Sequence, residues 1–325
     1  MQILPRIFRQ NIINKNLYRL YTNKSTLQAC IECAPLLERS LLRISGPDAA
    51  TFLQGLITND INTTEPASYA MLLNPKGRIL YDILLYKNRN DDEEYYLLEC
   101  DVRVNTAIEN HCKFYKLRSK VDIVNVDQEL AVWWAKYNDR ESLAFKNEPI
   151  LRTKDPRLQK LGERIIIPRH KNLSEYAQNL INVNYQEYVD DRMKLGICEG
   201  VSEVITGESL PLEYNLDYLD GVKFDKGCYL GQELTARTYH TGVIRKRLMP
   251  VIFLNPIDDN AAFLGSTVLN DKNKNCGKLR ALSGKYGVAL LRIADSLSGL
   301  LSVKTTNNTE VTLTASKPLW WPQNN

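Results

Sequence analysis

From residue 40 to residue 126 the apolar positions alternate between the two-residue period of strands and the three-to-four-residue period of helices. Residues 41–45 form a short apolar run that stops at Gly46-Pro47, and a proline there suits the first turn of a helix. That helix would carry Ala49, Phe52, Leu53, Leu56 and Ile57 on one face. Residues 69–73 and 78–86 flank Asn74-Pro75-Lys76-Gly77, which reads as a turn between two strands. Residues 95–100 predict a further strand. A helix follows, with Asp101 as its N-cap and Val104, Ile108, Cys112 and Tyr115 along one side. Val121 and Ile123 alternate in a closing strand. The order βαβββαβ predicts an α+β unit, an antiparallel or mixed sheet with helices on one face.

Further along, residues 130–135 and 164–168 read as strands, and 172–183 and 185–195 as helices, the second ending at Gly196. Residues 146–156 are polar and contain proline, as in a loop. From Met249 onward only short strands are predicted, at 251–254, 267–269, 277–281, 287–293, 301–305 and 311–315. Gly, Asn and Asp separate them, which indicates a small barrel or sandwich. Trp133-Trp134 and Trp320-Trp321 read as aromatics that pack the core or join domains.

Charge changes the picture at one end. The formal net charge is +4, but residues 1–31 hold Arg6, Arg9, Lys15, Arg19 and Lys24 and no acid. The remaining 37 basic and 38 acidic residues nearly cancel. A neutral body argues against nonspecific nucleic-acid binding, which needs many phosphate-neutralising cations. Leu4, Phe8 and Ile12, continued by Ile13, Leu17 and Leu20, give the leader an amphipathic helical stripe. Acid-free, Arg-containing and amphipathic describes a mitochondrial transit peptide, placed at residues 1–25, and the matrix as destination. No apolar run approaches the ~18 residues of a membrane span.

Seven cysteines, an odd number scattered through a chain of 325 residues, suit a reducing compartment. The Cys30–Cys33 pair lacks the second pair or the two histidines that a structural zinc site would want nearby. Residues 199–242 have few periodic stretches and many Gly, acidic and aromatic residues, and a long irregular connection is more often functional than decorative. At its centre stands Lys226-Gly227-Cys228-Tyr229-Leu230-Gly231-Gln232-Glu233. Gly227 and Gly231 let the backbone turn tightly around Cys228 and approach a ligand. Lys226 favours the thiolate, the nucleophilic and metal-binding form, while Asp225 opposes it. Gln232 and Glu233 can orient a ligand or cap a following turn.

That octapeptide resembles the signature of the YgfZ-type proteins, relatives of the glycine-cleavage aminomethyltransferase. Residues 234–238 and 242–248 resemble the mitochondrial members. Ser45-Gly46-Pro47-Asp48, Leu56-Ile57-Thr58-Asn59, Gly77-Arg78, Tyr81-Asp82, Pro211-Leu212-Glu213, Asn215-Leu216 and Trp320-Trp321-Pro322 extend the likeness over about residues 40–325. The resemblance implies three lobes around a folate-sized opening, with an aminomethyltransferase-like α+β region of two intertwined lobes at 26–245 and a barrel-like β domain at 246–325. It further implies a factor for late 4Fe–4S cluster assembly that works with A-type scaffold or carrier proteins. Asp82, Arg237 and Arg245 would be the contacts for tetrahydrofolate, with Lys246 and Arg247 beside them. Cys228 would be one ligand of a transient, shared iron–sulfur cluster, and Cys198 is the nearest other cysteine in sequence. The active aminomethyltransferases carry two adjacent acids where this chain has Tyr81-Asp82, which weighs against aminomethyl transfer. An active folate-dependent one-carbon transferase and a silent adaptor with a structural cysteine are the competing readings.

Overall fold

The computed structural model describes residues 31–63, 65–89, 94–137, 145–255, 264–304 and 309–323; the basic leader and Cys30 lie outside them. Strand β1 (Ile31–Pro35) was not legible in the sequence. It joins one sheet, while β2 (Arg39–Ser45), three residues later, joins another. The α1 helix (Ala49–Gln54) follows, then β3 (Ala67–Leu73), β4 (Ile79–Arg89), β5 (Glu94–Asp101), α2 (Asn105–Lys116) and β6 (Asp122–Asn125). This is the expected βαβββαβ order, and the sheet is antiparallel throughout, β3-β4-β5-β2-β6. Both helices cover one face: Phe52 and Leu53 of α1 and Ile108 and Cys112 of α2 pack on Ile44, Leu72 and Leu98.

Two details differ from expectation. The α1 helix stops at Gly55, so Leu56 and Ile57 are buried from the turn beyond it. Asp101 caps a short 3-10 turn, Val102–Val104, by accepting the Arg103 N–H, and α2 begins after that turn.

The second sheet has the order β10-β1-β7-β9-β8, with β7 (Leu130–Lys136), β8 (Leu151–Lys154), β9 (Glu163–Pro168) and β10 (Leu180–Asn182). Strand β8 lies inside the stretch read as a loop, because Pro149 and Pro156 bracket it and mask its short pattern. Residues 172–183 are not a helix. A 3-10 turn, Leu173–Glu175, is closed by a capping box between Asn172 and Glu175, and β10 follows. Leu173 and Ala177 mimic a helical stripe, yet both are buried against Trp133 and Ile165 on the outer face of the second sheet. The α3 helix (Tyr185–Leu195) is as expected, with Asn184 as N-cap and Gly196, at φ +74°, as its left-handed C-cap.

All six C-terminal strands are present: β11 (Lys246–Phe253), β12 (Thr267–Asn270), β13 (Asn275–Ser283), β14 (Tyr286–Arg292), β15 (Leu301–Lys304) and β16 (Glu310–Ala315). They close into a barrel, β11-β14-β13-β12-β15-β16, with β16 paired back onto β11. Alternate residues Met249, Val251 and Phe253 of β11 fill its interior. Trp321 joins that core, and the indole N–H of Trp320 donates to the Leu195 carbonyl at 2.9 Å, tying the barrel tail to α3.

A central core is shared by all parts. Met71, Leu84 and Leu97 come from the first sheet, Trp134 and Ile166 from the second, and Leu248 and Leu290 from the barrel. The long connection after Gly196 wraps this junction before entering β11.

Candidate functional site

The octapeptide leads into a helix that the sequence pattern did not reveal, α4 (Gln232–Thr241). Gly231 is its N-cap at φ +78°, and a Cβ there would sit 2.4 Å from the Asn74 carbonyl oxygen. Gly77, at φ +75°, closes the 74–77 turn and approaches Gly231 from the other side. Two separate motifs therefore interlock through glycines that no larger residue could replace. The Gln232 side chain accepts the Tyr229 N–H at 3.0 Å, and exposed Glu233 lies in the first turn of α4, where a carboxylate favours the helix dipole.

A second anchor is the turn after α1. The Leu230 N–H donates to the Gly55 carbonyl at 3.0 Å. The Lys226 ammonium donates to the carbonyls of Gln54, Ile57 and Asn59 at 2.8, 2.8 and 2.6 Å. Thr58 and Asn59 donate to the carbonyls of Gly221 and Asp220, binding the start of the same segment. An ammonium has three protons, and all three are committed. Lys226 is thus a backbone clamp rather than the thiolate-favouring neighbour that its place in the sequence suggested. Burial lowers its pKa to about 8, with Asp60 opposing, while the three carbonyl oxygens hold the charged form. Lys226→Met should cost about 2–4 kcal/mol in urea unfolding, because buried acceptors lose their partner. A loss below about 1 kcal/mol would show that the clamp is dispensable.

The clamps leave the cysteine outward. Cys228 is exposed, whereas Cys33, Cys100, Cys112, Cys198 and Cys276 are buried. Beside it Gly227 is exposed at an ordinary φ, and a Cβ there would meet nothing within 4 Å. Cys198, 4% exposed, has its thiol pushed well up by burial.

Of the residues expected to hold folate, Asp82 is buried and Arg237 and Arg245 are exposed. Asp82, on β4, is 4% exposed; burial raises its pKa against the opposing pull of Arg39. It accepts the Gly200 N–H at 3.0 Å and lies 3.8 Å from Arg39. Arg39 also pairs with Glu99 at 2.7 Å. Across the central core Glu199 accepts from Arg157 at 2.7 Å, Arg164 at 3.1 Å and the Tyr188 hydroxyl at 2.6 Å. Asp155 pairs with Arg157 at 2.7 Å, and Glu203 with Arg192 at 2.7 Å. Asp82 thus belongs to a buried ionic cluster, unforeseen in the sequence, that joins both sheets to α3.

Arg237 is exposed on α4. Arg245 lines a separate groove of about 350 Å³, together with Leu212, Glu213, Leu234 and Thr235. Arg247 is consumed internally: it is buried, forks onto Asp217 at 2.8 Å and stacks on Tyr218 at 3.8 Å.

Residues 37–133 match the family described as the GCVT N-terminal domain, and residues 245–323 match the CAF17 C-terminal beta-barrel domain. The iron–sulfur cluster assembly factor IBA57, mitochondrial, of Homo sapiens is 38% identical over 314 residues, 91% of this chain and 87% of its own length. The Mus musculus protein of the same name is 39% identical over 309 residues, covering 89% and 85%. The chain belongs to the IBA57 family of mitochondrial iron–sulfur cluster assembly factors. A Neurospora crassa homologue is 34% identical over 75% of this chain and 59% of its own length. Among solved structures, the glycine cleavage system aminomethyltransferase T from Bartonella henselae superposes with a TM-score of 0.68 over 90% of this chain and 86% of that one. At 14% identity that likeness establishes the aminomethyltransferase fold, three lobes with the closed barrel last, and nothing of activity.

Proposed function

We propose that the chain supports maturation of mitochondrial 4Fe–4S proteins by contributing the Cys228 thiolate to a cluster held jointly with an A-type carrier. The observation that carries this reading is the lone outward thiol: five of six described cysteines are buried, and Cys228 stands exposed on a turn clamped from two sides. Iron in such clusters is commonly held by four cysteine thiolates. No three His, Cys, Asp or Glu side chains gather as a metal site among the described residues. The remaining ligands then come from the partner or a small thiol. In this reading the cluster is cargo, residues 1–25 direct import to the matrix, residues 26–245 present Cys228, and residues 246–325 brace that region.

The alternative, folate-dependent aminomethyl transfer, has less support, since Asp82, its candidate pterin contact, is already engaged by the Gly200 N–H and by Arg39. No step of the proposed function runs through tetrahydrofolate. The test is anaerobic mixing of the protein with a cluster-loaded A-type carrier, followed by visible absorption and chromatography. A cluster chromophore co-eluting with both chains is expected. Steady methylenetetrahydrofolate formation from an aminomethylated carrier protein, without a shared chromophore, would favour the transferase.

A further inference from the structure

Cys228 lies on the wall of a groove of about 440 Å³, with Phe52, Tyr115 and Leu230 beneath it. Asp48 and Ser119 line this groove and also a second depression that holds Leu117 and Arg118, so the two run together. The far end is a protruding loop after α2. Phe114, in the last turn of α2, and Leu117, just after it, are 72% and 83% exposed. Leu117 has φ +47°, a region that a leucine rarely occupies. An apolar side chain held out in water by a disfavoured backbone is not explained by the fold of this chain.

Charge gives the groove a direction. At the loop end Arg118 and Lys120 are exposed and make no ion pair among the described residues, while Lys113 is held by Glu109. The Asp48 carboxylate in between accepts the Lys120 N–H at 2.7 Å. Within three to five residues of Cys228 in sequence the exposed charges are Asp225 and Glu233, both acidic, with Arg237 one turn further along α4.

We infer that this groove is the docking surface for the cluster-carrying partner, and that it takes a segment presenting an apolar side chain followed by an acidic one. The apolar group lies along Phe52, Tyr115 and Leu117, the acid meets Arg118 and Lys120, and the polarity delivers the partner's cluster end to Cys228. This rests on the cluster-sharing role of Cys228 proposed above, and adds the surface that recognises the partner before any cluster is shared.

Two variants isolate the surface. Leu117→Gly removes the apolar contact and also the disfavoured φ, so a loss of binding cannot be ascribed to unfolding. Arg118→Glu reverses the charge at an exposed position. Binding of the cluster-free A-type carrier to the full chain is measured by isothermal titration at low and moderate salt, with thermal melts alongside. Leu117→Gly should melt at or above the parent temperature yet bind about tenfold more weakly. Arg118→Glu should weaken binding similarly and flatten its salt dependence. Cys228→Ser should form no shared chromophore with the cluster-loaded carrier. Parent-like binding by both groove variants overturns the docking surface, and leaves the role of Cys228 standing if the chromophore still requires that thiol. A chromophore unaffected by Cys228→Ser, with binding still lost in the groove variants, overturns the cluster-ligand reading instead. Self-association of the full chain that both groove variants abolish, with carrier binding unchanged, makes the groove a homotypic interface and overturns the inference.

Discussion

Glu199→Gln should lower stability by about 3–5 kcal/mol at pH 7, the largest loss expected of any single isosteric change in this chain. The carboxylate is 4% exposed and stands at the meeting point of Arg157, Arg164 and Arg192, with the Tyr188 hydroxyl donating to it. Glutamine keeps the shape but removes the charge, leaving buried guanidinium groups short of a counter-ion. The arginines around it hold the Glu199 carboxyl well below its ordinary pKa despite the cost of burial. A carboxyl depressed in the folded state contributes fully above its unfolded pKa and loses that contribution as pH falls toward the folded one. The gap between parent and variant should therefore be full at neutral pH and narrow only on acidification below the usual glutamate range. Urea titrations at pH 7 and at stepwise lower pH check both the size and the sign. A difference under about 1 kcal/mol at pH 7 would mean that the cluster is not what joins the sheets to α3.

That cluster is also where sequence reading stopped short. Asp82 and Glu99 are single charges inside the apolar runs 79–86 and 95–100, and Arg164 follows Glu163 at the head of the run 165–167; in the sequence Asp82 reads as a ligand contact and the other two carry no assigned role. Strands buried on one face ordinarily turn such charges to water. Here both faces are covered, with β3 buried along its whole length, and the charges point into the space between sheets. Charges flanked by apolar residues on both sides, Asp82 and Glu99 in two separate strands, were the available signal. The barrel was legible because its strands are short, regular and separated by Gly, Asn and Asp. The α+β unit was legible because its periods change cleanly.

The middle region failed for local reasons. Prolines bracket β8, and the Leu173 and Ala177 spacing imitates a helix that a capping box ends after one turn. The α4 helix was missed because its face is polar, with Thr235 its one buried side chain. The octapeptide stands out in the sequence, but the part played by Lys226 required the fold. Its three acceptors lie some 170 residues earlier in the chain.

The second large effect is functional. Cys228→Ser changes an exposed side chain whose backbone is held by Lys226, Leu230 and Gln232, none of which uses the sulfur. Stability should shift by no more than about 0.5 kcal/mol, as for surface positions generally. Serine keeps the size and the turn but loses the soft thiolate ligand that iron–sulfur clusters take. If Cys228 is that ligand, loss of function should be complete while the fold is untouched, a separation that a structural cysteine could not produce. The direct measurement is the activity of mitochondrial 4Fe–4S enzymes in cells lacking the native protein and supplied with the Cys228→Ser chain at parental abundance. Enzyme activities no higher than in cells with no replacement are predicted; full rescue by the serine variant would contradict the account.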